Sequence, residues 1–157
     1  MSDHQANPET PSAKVTLQEI TEQTVGAILR LEVADHQKNF VASNAVSIAQ
    51  AYFSKNAWFR AIYADETPVG FVMLYVDETK PEYVLWRYMI DQQQQGKGYG
   101  RQALLKIIEH VRGLPGAQEF FLSYVPGEGN PLPFYQKLGF VETGDWDEGE
   151  KIMKLTL

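Results

Sequence analysis

The sequence predicts an α/β (α+β) domain with the element order β-α-α-β-β-β-α-β-α-β-β. The most informative stretch starts with an aromatic, apolar run at 83–90, passes through a glycine-rich loop and enters a segment of helical periodicity at 102–112. Upstream, two strand-like runs flank the turn residues 65–68, which predicts an antiparallel hairpin. At the end of the chain, two further runs flank 145–149 and predict a second hairpin. Such a mixture of strands, helices and hairpins indicates a sheet covered by helices.

The first strand and the first two helices follow from local patterns. Alternating residues at 14–20 predict the first strand. Thr21 is a suitable N-cap for the first helix, in which apolar residues recur with helical spacing as far as Val33. Ser43 or Asn44 is expected to cap the second helix.

The remaining elements are bounded by turn residues. In the helix after the glycine loop, Leu104, Ile108 and Val111 stand at i, i+4 and i+7, and Gly113 ends the helix. A short helix is predicted at 132–138. Further strands are predicted at 58–64, 69–76, 82–90, 118–125, 140–143 and 151–157.

Length, charge and composition limit the possible functions. The 157 residues fit one domain, expected at 13–157, behind a polar tail at 1–12 that is expected to be disordered. The net charge of -6 disfavours a nucleic-acid partner, and no apolar run approaches the roughly 18 residues of a membrane span. The tail lacks the apolar core of a signal peptide, so a cytoplasmic protein is predicted. There is no cysteine and the histidines are scattered, so no metal site is expected.

The loop at 95–101 is suited to bind an anion because it leads into a helix. A helix start carries free backbone N–H groups and the positive end of the macrodipole, and glycines let this backbone approach a ligand closely. The combination predicts a phosphate or pyrophosphate site. The dipole contributes only about 0.3–1 kcal/mol. Several N–H bonds to a charged oxygen must therefore supply the rest.

Other glycine-loop motifs match poorly. A Walker A loop is excluded, because Gly98 and not Ser or Thr follows Lys97. A dinucleotide fingerprint needs the spacing G-x-G-x-x-G within a βαβ unit, and neither is evident. A glycine-rich turn that merely starts a helix remains an alternative.

Two motifs carry a family resemblance. The loop residues Gln95-x-x-Gly98-x-Gly100 resemble the Q/R-x-x-G-x-G/A signature of the GNAT superfamily of acetyl-CoA-dependent N-acetyltransferases. The segment PFYQKLGF at 133–140 resembles the later motif of that family, a helix that carries a tyrosine and ends in Leu-Gly-Phe. The two motifs occur in order, and the resemblance covers roughly residues 13–157. It implies the GNAT fold, a mixed central sheet of six to seven strands flanked by about four helices.

The resemblance implies acetyl-CoA as co-substrate. Backbone groups of the fourth strand at Tyr88, Met89 and Ile90 would hold the pantetheine arm in the manner of an added strand. The family's pantetheine-binding asparagine stands where this chain has Glu128, so Asn130, two residues later, is the candidate here. The pyrophosphate would lie on the loop residues Gln95, Gly96, Lys97, Gly98, Tyr99, Gly100 and Arg101.

Tyr135 matches the tyrosine that protonates the departing CoA sulfur in this family. A phenol has a reference pKa of about 10, so it carries its proton at neutral pH. The alternative for Tyr135 is a core position on an amphipathic helix. For the base that deprotonates the amine, Glu82 ranks first, ahead of Asp91 and of Glu32 on the first helix. Deprotonation through water needs no dedicated residue.

Within the superfamily the chain is similar to the bacterial spermine/spermidine (diamine) acetyltransferase branch, at 29–53, 86–91 and 149–153. This implies a small-molecule primary amine as substrate, such as spermidine or spermine. Remote ammonium groups need acidic or aromatic partners. The main candidates are Glu32, Trp86 and Glu128, and Tyr88 and Glu148 are further candidates.

Two other functions stay open. The domain could acetylate a protein lysine or N-terminal amine, or it could be a non-catalytic acyl-CoA-binding module. Since GNAT enzymes are frequently dimers, a homodimer is left open as a further partner.

Overall fold

The computed structural model describes residues 13–157, which form a seven-stranded sheet with helices on both faces. The strands are β1 Val15–Gln18, β2 Ala57–Ala64, β3 Thr67–Asp77, β4 Glu82–Ile90, β5 Glu119–Tyr124, β6 Val141–Asp147 and β7 Glu150–Thr156. The helices are α1 Val25–Arg30, α2 Asn44–Tyr52, α3 Tyr99–Arg112 and α4 Leu132–Lys137, with 3₁₀ turns at Asp35–Gln37 and Gln92–Gln94. The predicted fold class and element order are confirmed. The predicted tail at 1–12 lies outside the described residues.

The strands lie in the order β1-β2-β3-β4-β5-β7-β6. Every neighbouring pair is antiparallel except β4 and β5, which run parallel. That parallel contact is short, because only Val84 with Phe121 and Leu85 with Leu122 are paired. Beyond these positions the two strands separate, and the middle of the sheet opens.

Each face of the sheet carries its own core. On one face α3 buries Leu104, Ile108 and Val111 against the strands, so the stripe predicted from the helical spacing is confirmed. On the other face α1 and α2 cover β2, β3 and Met89 of β4, and Ile28 of α1 is completely buried there. The two layers hold β4 between them.

A β-bulge interrupts β4 at Trp86. Met73 of β3 pairs with Arg87, and the following residue Leu74 pairs with Leu85, so Trp86 has no partner on β3. An extra residue in one strand shifts the alternation of its side chains by one position. The bulge lies directly after the last residue that β4 pairs with β5.

The bulge decides which side chains of β4 face α3. In a regular strand Tyr83 and Tyr88 would point to opposite faces of the sheet. Here Tyr83 and Leu85 before the bulge, and Tyr88 and Ile90 after it, all pack in the core on the α3 face. Tyr88 is thereby brought to the start of α3.

The first helix is shorter than predicted, and two expectations about it are wrong. Its N-cap position is Thr24 rather than Thr21, and no side chain caps it there. The helix ends where Leu31 turns to an extended conformation with ψ 133°. Glu32 therefore does not lie on the helix. Its backbone N–H bonds Asp91 Oδ1 at 2.9 Å, and its carbonyl oxygen accepts from the N–H of Gln92 at 2.8 Å. These contacts with the end of β4 replace the next helical turn.

Other boundaries differ by a few residues. Ser43 is confirmed as the N-cap of α2, since its Oγ accepts from the N–H of Val46 at 3.2 Å. Helix α3 begins at Tyr99, three residues before the predicted start, so the last residues of the glycine loop are already helical. Strand β6 extends to Asp147 rather than ending at Thr143.

Candidate active site

A cleft of about 1120 Å³ opens where β4 and β5 separate. On the side of β5, the edge of β4 beyond Leu85 has no pairing strand among the described residues. Its backbone groups are therefore open to a ligand that lies along the strand. Most of the cleft wall comes from Val33 and 37–42, the second half of β4, the glycine loop, 123–125, 129–131 with 134–135, and the β6–β7 turn.

The glycine loop presents a group of free backbone donors to the cleft. Gly96 and Gly98 have φ of 78° and 83°, in the left-handed region that favours glycine, and Gly98 is the N-cap of α3. Within 13–157, no backbone N–H from Gly96 to Arg101 donates a hydrogen bond. No side chain caps the helix at this end either. Unbonded amides at a helix start form a site for an anion.

Gln95 lines the cleft, and hydrogen bonds hold its side chain in place. Its Nε2 donates to the carbonyl oxygen of Ile90 at 2.9 Å and to Gln37 Oε1 at 2.8 Å, and its Oε1 accepts from Gln37 Nε2 at 3.2 Å. Lys97 is not part of the cleft wall, and its Nζ donates to Gln94 Oε1 at 3.0 Å. Tyr99, Gly100 and the exposed Arg101 do line the cleft.

The second half of β4 supplies the wall beside the loop. Tyr88, Met89 and Ile90 all line the cleft, as the sequence led us to expect. The Tyr88 hydroxyl donates to the carbonyl oxygen of Gly100, and the Tyr88 ring stacks on Phe134 with centroids 6.4 Å apart. These contacts join β4 to both α3 and α4.

Tyr135 lies on α4 with only 8% of its surface exposed, packed edge-on against Phe134 and Phe140. It lines the cleft, and its hydroxyl makes no hydrogen bond to any residue of the described chain. Burial raises the pKa of Tyr135, because an apolar environment disfavours the phenolate. The side chain is therefore a protonated donor at neutral pH.

Asn130 shapes the loop that precedes α4. Its Nδ2 donates to the carbonyl oxygen of Gly127 at 2.6 Å, and its Oδ1 accepts from the N–H of Leu132 at 2.9 Å. Asn130 also lines the cleft. Its amide holds the backbone at the cleft wall.

A cluster of carboxylates lies on the cleft wall around the β6–β7 turn. Asp147, Glu148 and Glu150 all line the cleft, and Ser123 Oγ donates to Glu150 Oε2 at 3.2 Å. We call these three residues the acidic wall. The sequence pointed to Glu148 alone. Asp147 and Glu150 were missed, although Glu150 lies within the stretch 149–153 that supported the family resemblance.

Arg87 and Trp86 line the same cleft from β4. The Arg87 Nη2 donates to Gln50 Oε1 at 3.1 Å, and the guanidinium lies 5.8 Å from the centre of the Trp86 ring. Burial lowers the pKa of Arg87, and the negative charge of Glu150 opposes that shift. The charge of Glu150 therefore acts on this guanidinium.

Comparison with known proteins decides the family. The sequence pattern of the Acetyltransferase (GNAT) family matches residues 17–140. The chain belongs to that family. It is 29% identical over 146 residues to the spermine/spermidine N(1)-acetyltransferase of Bacillus subtilis (strain 168), an alignment that covers 88% of this chain and 96% of that protein. The predictions of GNAT membership and of an acetyltransferase are confirmed.

Solved structures of other proteins have the same fold as this GNAT acetyltransferase. The PaiA N-acetyltransferase from Thermoplasma acidophilum, in complex with coenzyme A, has a TM-score of 0.65 at 17% identity and covers 92% of this chain and 99% of that one. A GNAT family acetyltransferase from Elizabethkingia anophelis, with acetyl-CoA bound, has a TM-score of 0.67 at 15% identity, and the alignment covers 94% of this chain and 99% of that one.

Within 13–157, no helix is both long and apolar enough to cross a bilayer.

Three of the predicted acidic residues of this acetyltransferase are not part of the cleft wall. Glu82 is exposed at the start of β4, where it pairs with Asp77 at the hairpin turn, opposite to the end that carries the glycine loop. Glu32 is exposed and lies 3.6 Å from Lys38 Nζ, and Glu128 is exposed in its loop. None of the three lines the cleft, whereas Trp86 does.

Proposed function

We propose that this acetyltransferase moves the acetyl group of acetyl-CoA directly to a primary amine of a small polycation such as spermidine or spermine. The observation that carries the proposal is that one cleft combines a free-amide helix start with an acidic wall. The first suits a diphosphate and the second suits ammonium groups. The cleft thus holds a site for the acetyl donor and a site for a positively charged acceptor.

The residues present fit coenzyme A. The open space beside Gly96 and Gly98, where an added Cβ would meet nothing closer than 3.8 Å, leaves room for a phosphate close to the backbone. The N–H groups from Gly96 to Arg101 would hold the pyrophosphate, at about 1.5–3 kcal/mol for each bond to a charged oxygen. The unpaired edge of β4 would hold the pantetheine arm. Acetyl-CoA supplies the acetyl group as an activated thioester.

Tyr135 is proposed as the general acid. Its hydroxyl keeps its proton at neutral pH and is not engaged by another described residue, so it is free to protonate the departing sulfur. The acceptor must lose a proton before it attacks. Because Glu82 does not line the cleft, the acidic wall is better placed to accept that proton, directly or through water, than the carboxylate ranked first from sequence.

The acidic wall and Trp86 support a polyamine acceptor. Each carboxylate–ammonium pair near a protein surface has a Coulomb energy of about 4 kcal/mol at 4 Å before desolvation is subtracted. The Trp86 face can add about 0.5–2 kcal/mol for a cation. The Bacillus subtilis relative, whose name specifies spermine and spermidine, supports the same acceptor class.

The test is a panel of amines incubated with acetyl-CoA, with products detected by mass spectrometry. The panel holds spermidine, spermine, a monoamine, a lysine peptide and a peptide with a free N-terminus. We expect acetylated spermidine or spermine as the main product. Turnover of a peptide without turnover of polyamines would overturn the acceptor, and CoA binding without any turnover would favour a non-catalytic module.

Variants of the acidic wall sharpen this test. Glu150→Gln should raise the KM for spermidine about fivefold or more while the KM for acetyl-CoA stays unchanged, because it removes one charge from the acceptor end. Asp145→Asn is the matched control, since Asp145 is exposed on the same hairpin but does not line the cleft. Equal effects of both variants would mean that only long-range charge matters.

A further inference from the structure

The segment 32–42, between α1 and α2, lines part of the cleft, and we call it the acceptor-side segment because we propose that the amine binds against it. It has little secondary structure to hold it. It connects α1 to α2 and contains a single 3₁₀ turn at Asp35–Gln37. Seven of its residues line the cleft, namely Val33 and the run from Gln37 to Ala42. Its ion pairs, from Lys38 to Asp35 and Glu32, are solvent-exposed and contribute little to its position.

This segment is attached to the residues that lead into the glycine loop. Four hydrogen bonds join the two, in two pairs. The first pair links the backbone of Glu32 to Asp91 Oδ1 at 2.9 Å and to the N–H of Gln92 at 2.8 Å. The second pair is the reciprocal contact between the amides of Gln37 and Gln95, at 2.8 and 3.2 Å.

Gln37 is the centre of the second pair. Its Oε1 accepts from Gln95 Nε2 and also from the backbone N–H of Ala34 at 3.1 Å, within its own turn. Gln95 Nε2 in turn donates to the carbonyl oxygen of Ile90. One network therefore connects the acceptor-side segment, the end of β4 and the residue directly before Gly96.

We infer that Gln37 is a positioning residue that couples the donor loop to the acceptor side of the cleft, so that filling the glycine loop with CoA orders the acceptor-side segment. This rests on the proposed binding of CoA at that loop. When CoA makes the residues after Gln95 rigid, the entropy cost of ordering the acceptor-side segment, which is bonded to Gln95, becomes smaller. The amine then binds a segment that is already ordered. By linkage the effect is reciprocal, so the amine should also tighten CoA.

The direct test is amide hydrogen exchange on the full chain, with and without CoA alone. In the wild type we expect CoA to slow exchange at 96–101 and also, by about fivefold or more, at 32–42. In Gln37→Ala the protection at 96–101 should persist while that at 32–42 is lost. Asp35→Asn is the matched control, because Asp35 lies in the same turn, is exposed and bonds only Lys38.

A kinetic readout separates positioning from simple folding. In Gln37→Ala we expect the KM for the amine, measured at saturating acetyl-CoA, to rise about fivefold. The KM for acetyl-CoA, measured at a low amine concentration, should change less than about twofold. Protection at 96–101 alone in the wild type, or protection at 32–42 that survives in Gln37→Ala, would overturn the coupling and leave the proposed function standing. No protection at either segment would overturn both.

Discussion

The hydroxyl of Tyr88 donates a hydrogen bond to the carbonyl oxygen of Gly100, and this contact ties the open end of β4 to the first turn of α3. It exists because the bulge at Trp86 turns Tyr88 to the α3 face of the sheet. The two proposed parts of the donor site, the strand edge and the helix start, are thereby held in one arrangement.

Tyr88→Phe removes the hydroxyl that makes this hydrogen bond and leaves the aromatic ring in place. We expect the free energy of unfolding to fall by about 1 kcal/mol and the KM for acetyl-CoA to rise by less than tenfold, since one hydrogen bond is worth about that much. Tyr83→Phe is the control, because the Tyr83 hydroxyl donates to the carbonyl oxygen of Pro115 at 2.5 Å on the same face of the same strand, and Tyr83 does not line the cleft. Denaturant unfolding and steady-state kinetics measure both effects. An equal rise in KM in both variants would contradict the assigned contact.

Tyr135→Phe should lower kcat at least about tenfold while the Kd for acetyl-CoA changes little. The phenol is needed only when the sulfur leaves, so its loss acts on the transition state rather than on binding. Kinetics and calorimetric titration with CoA measure the two quantities separately. Full turnover in this variant would remove Tyr135 from the mechanism.

Gly98→Ala should cost about 1–2 kcal/mol of stability, because φ at this position is 83° and an added Cβ is strained there. Gly144→Ala is the matched control, since its φ is 86° and no atom would contact the new Cβ. Only Gly98→Ala should also raise the KM for acetyl-CoA, because Gly144 does not line the cleft. Thermal unfolding and KM measurements on both variants test this, and an unchanged KM in Gly98→Ala would speak against the phosphate site.

Stability should fall as the pH rises above about 10. Burial raises the pKa of both Tyr88 and Tyr135 in the folded protein. Above the unfolded pKa of about 10, the unfolded chain releases these protons while the folded protein keeps them, so unfolding becomes easier by up to about 1.4 kcal/mol per pH unit for each group. The stabilisation is complete below pH 10 and declines up to the folded pKa. Denaturant unfolding between pH 9 and 11 should show a shallower decline in Tyr135→Phe, and an identical decline would contradict the assignment.

Local patterns in the sequence were sufficient for the element order and for the donor side of the site. Helix α3 was predictable because its buried stripe repeats with helical spacing, and the glycine loop because its spacing matches a family signature. Tyr88, Met89, Ile90 and Tyr135 were placed on the cleft by the same resemblance, and the structure puts all four there. Their roles in binding and catalysis remain predictions.

The acceptor side was not predictable in this way. The first helix was expected to continue to Glu32, but hydrogen bonds from a segment about 59 residues away end it sooner. Glu82 was ranked first as the base because it was predicted to lie on the fourth strand. It lies at the hairpin end of β4, opposite to the end that leads into the glycine loop. Asp147 and Glu150 reach the cleft because the last hairpin lies beside β5, a pairing that joins distant parts of the chain.

The sequence by itself determined the fold class, the family and the glycine loop that begins α3, because each depends on residues close together in the chain. Only the tertiary structure decided which carboxylates face the cleft, that the bulge at Trp86 turns Tyr88 towards α3, and that Gln37 bonds Gln95. The physical reason is that these features depend on strand register and on hydrogen bonds between remote segments, for which no local periodicity exists.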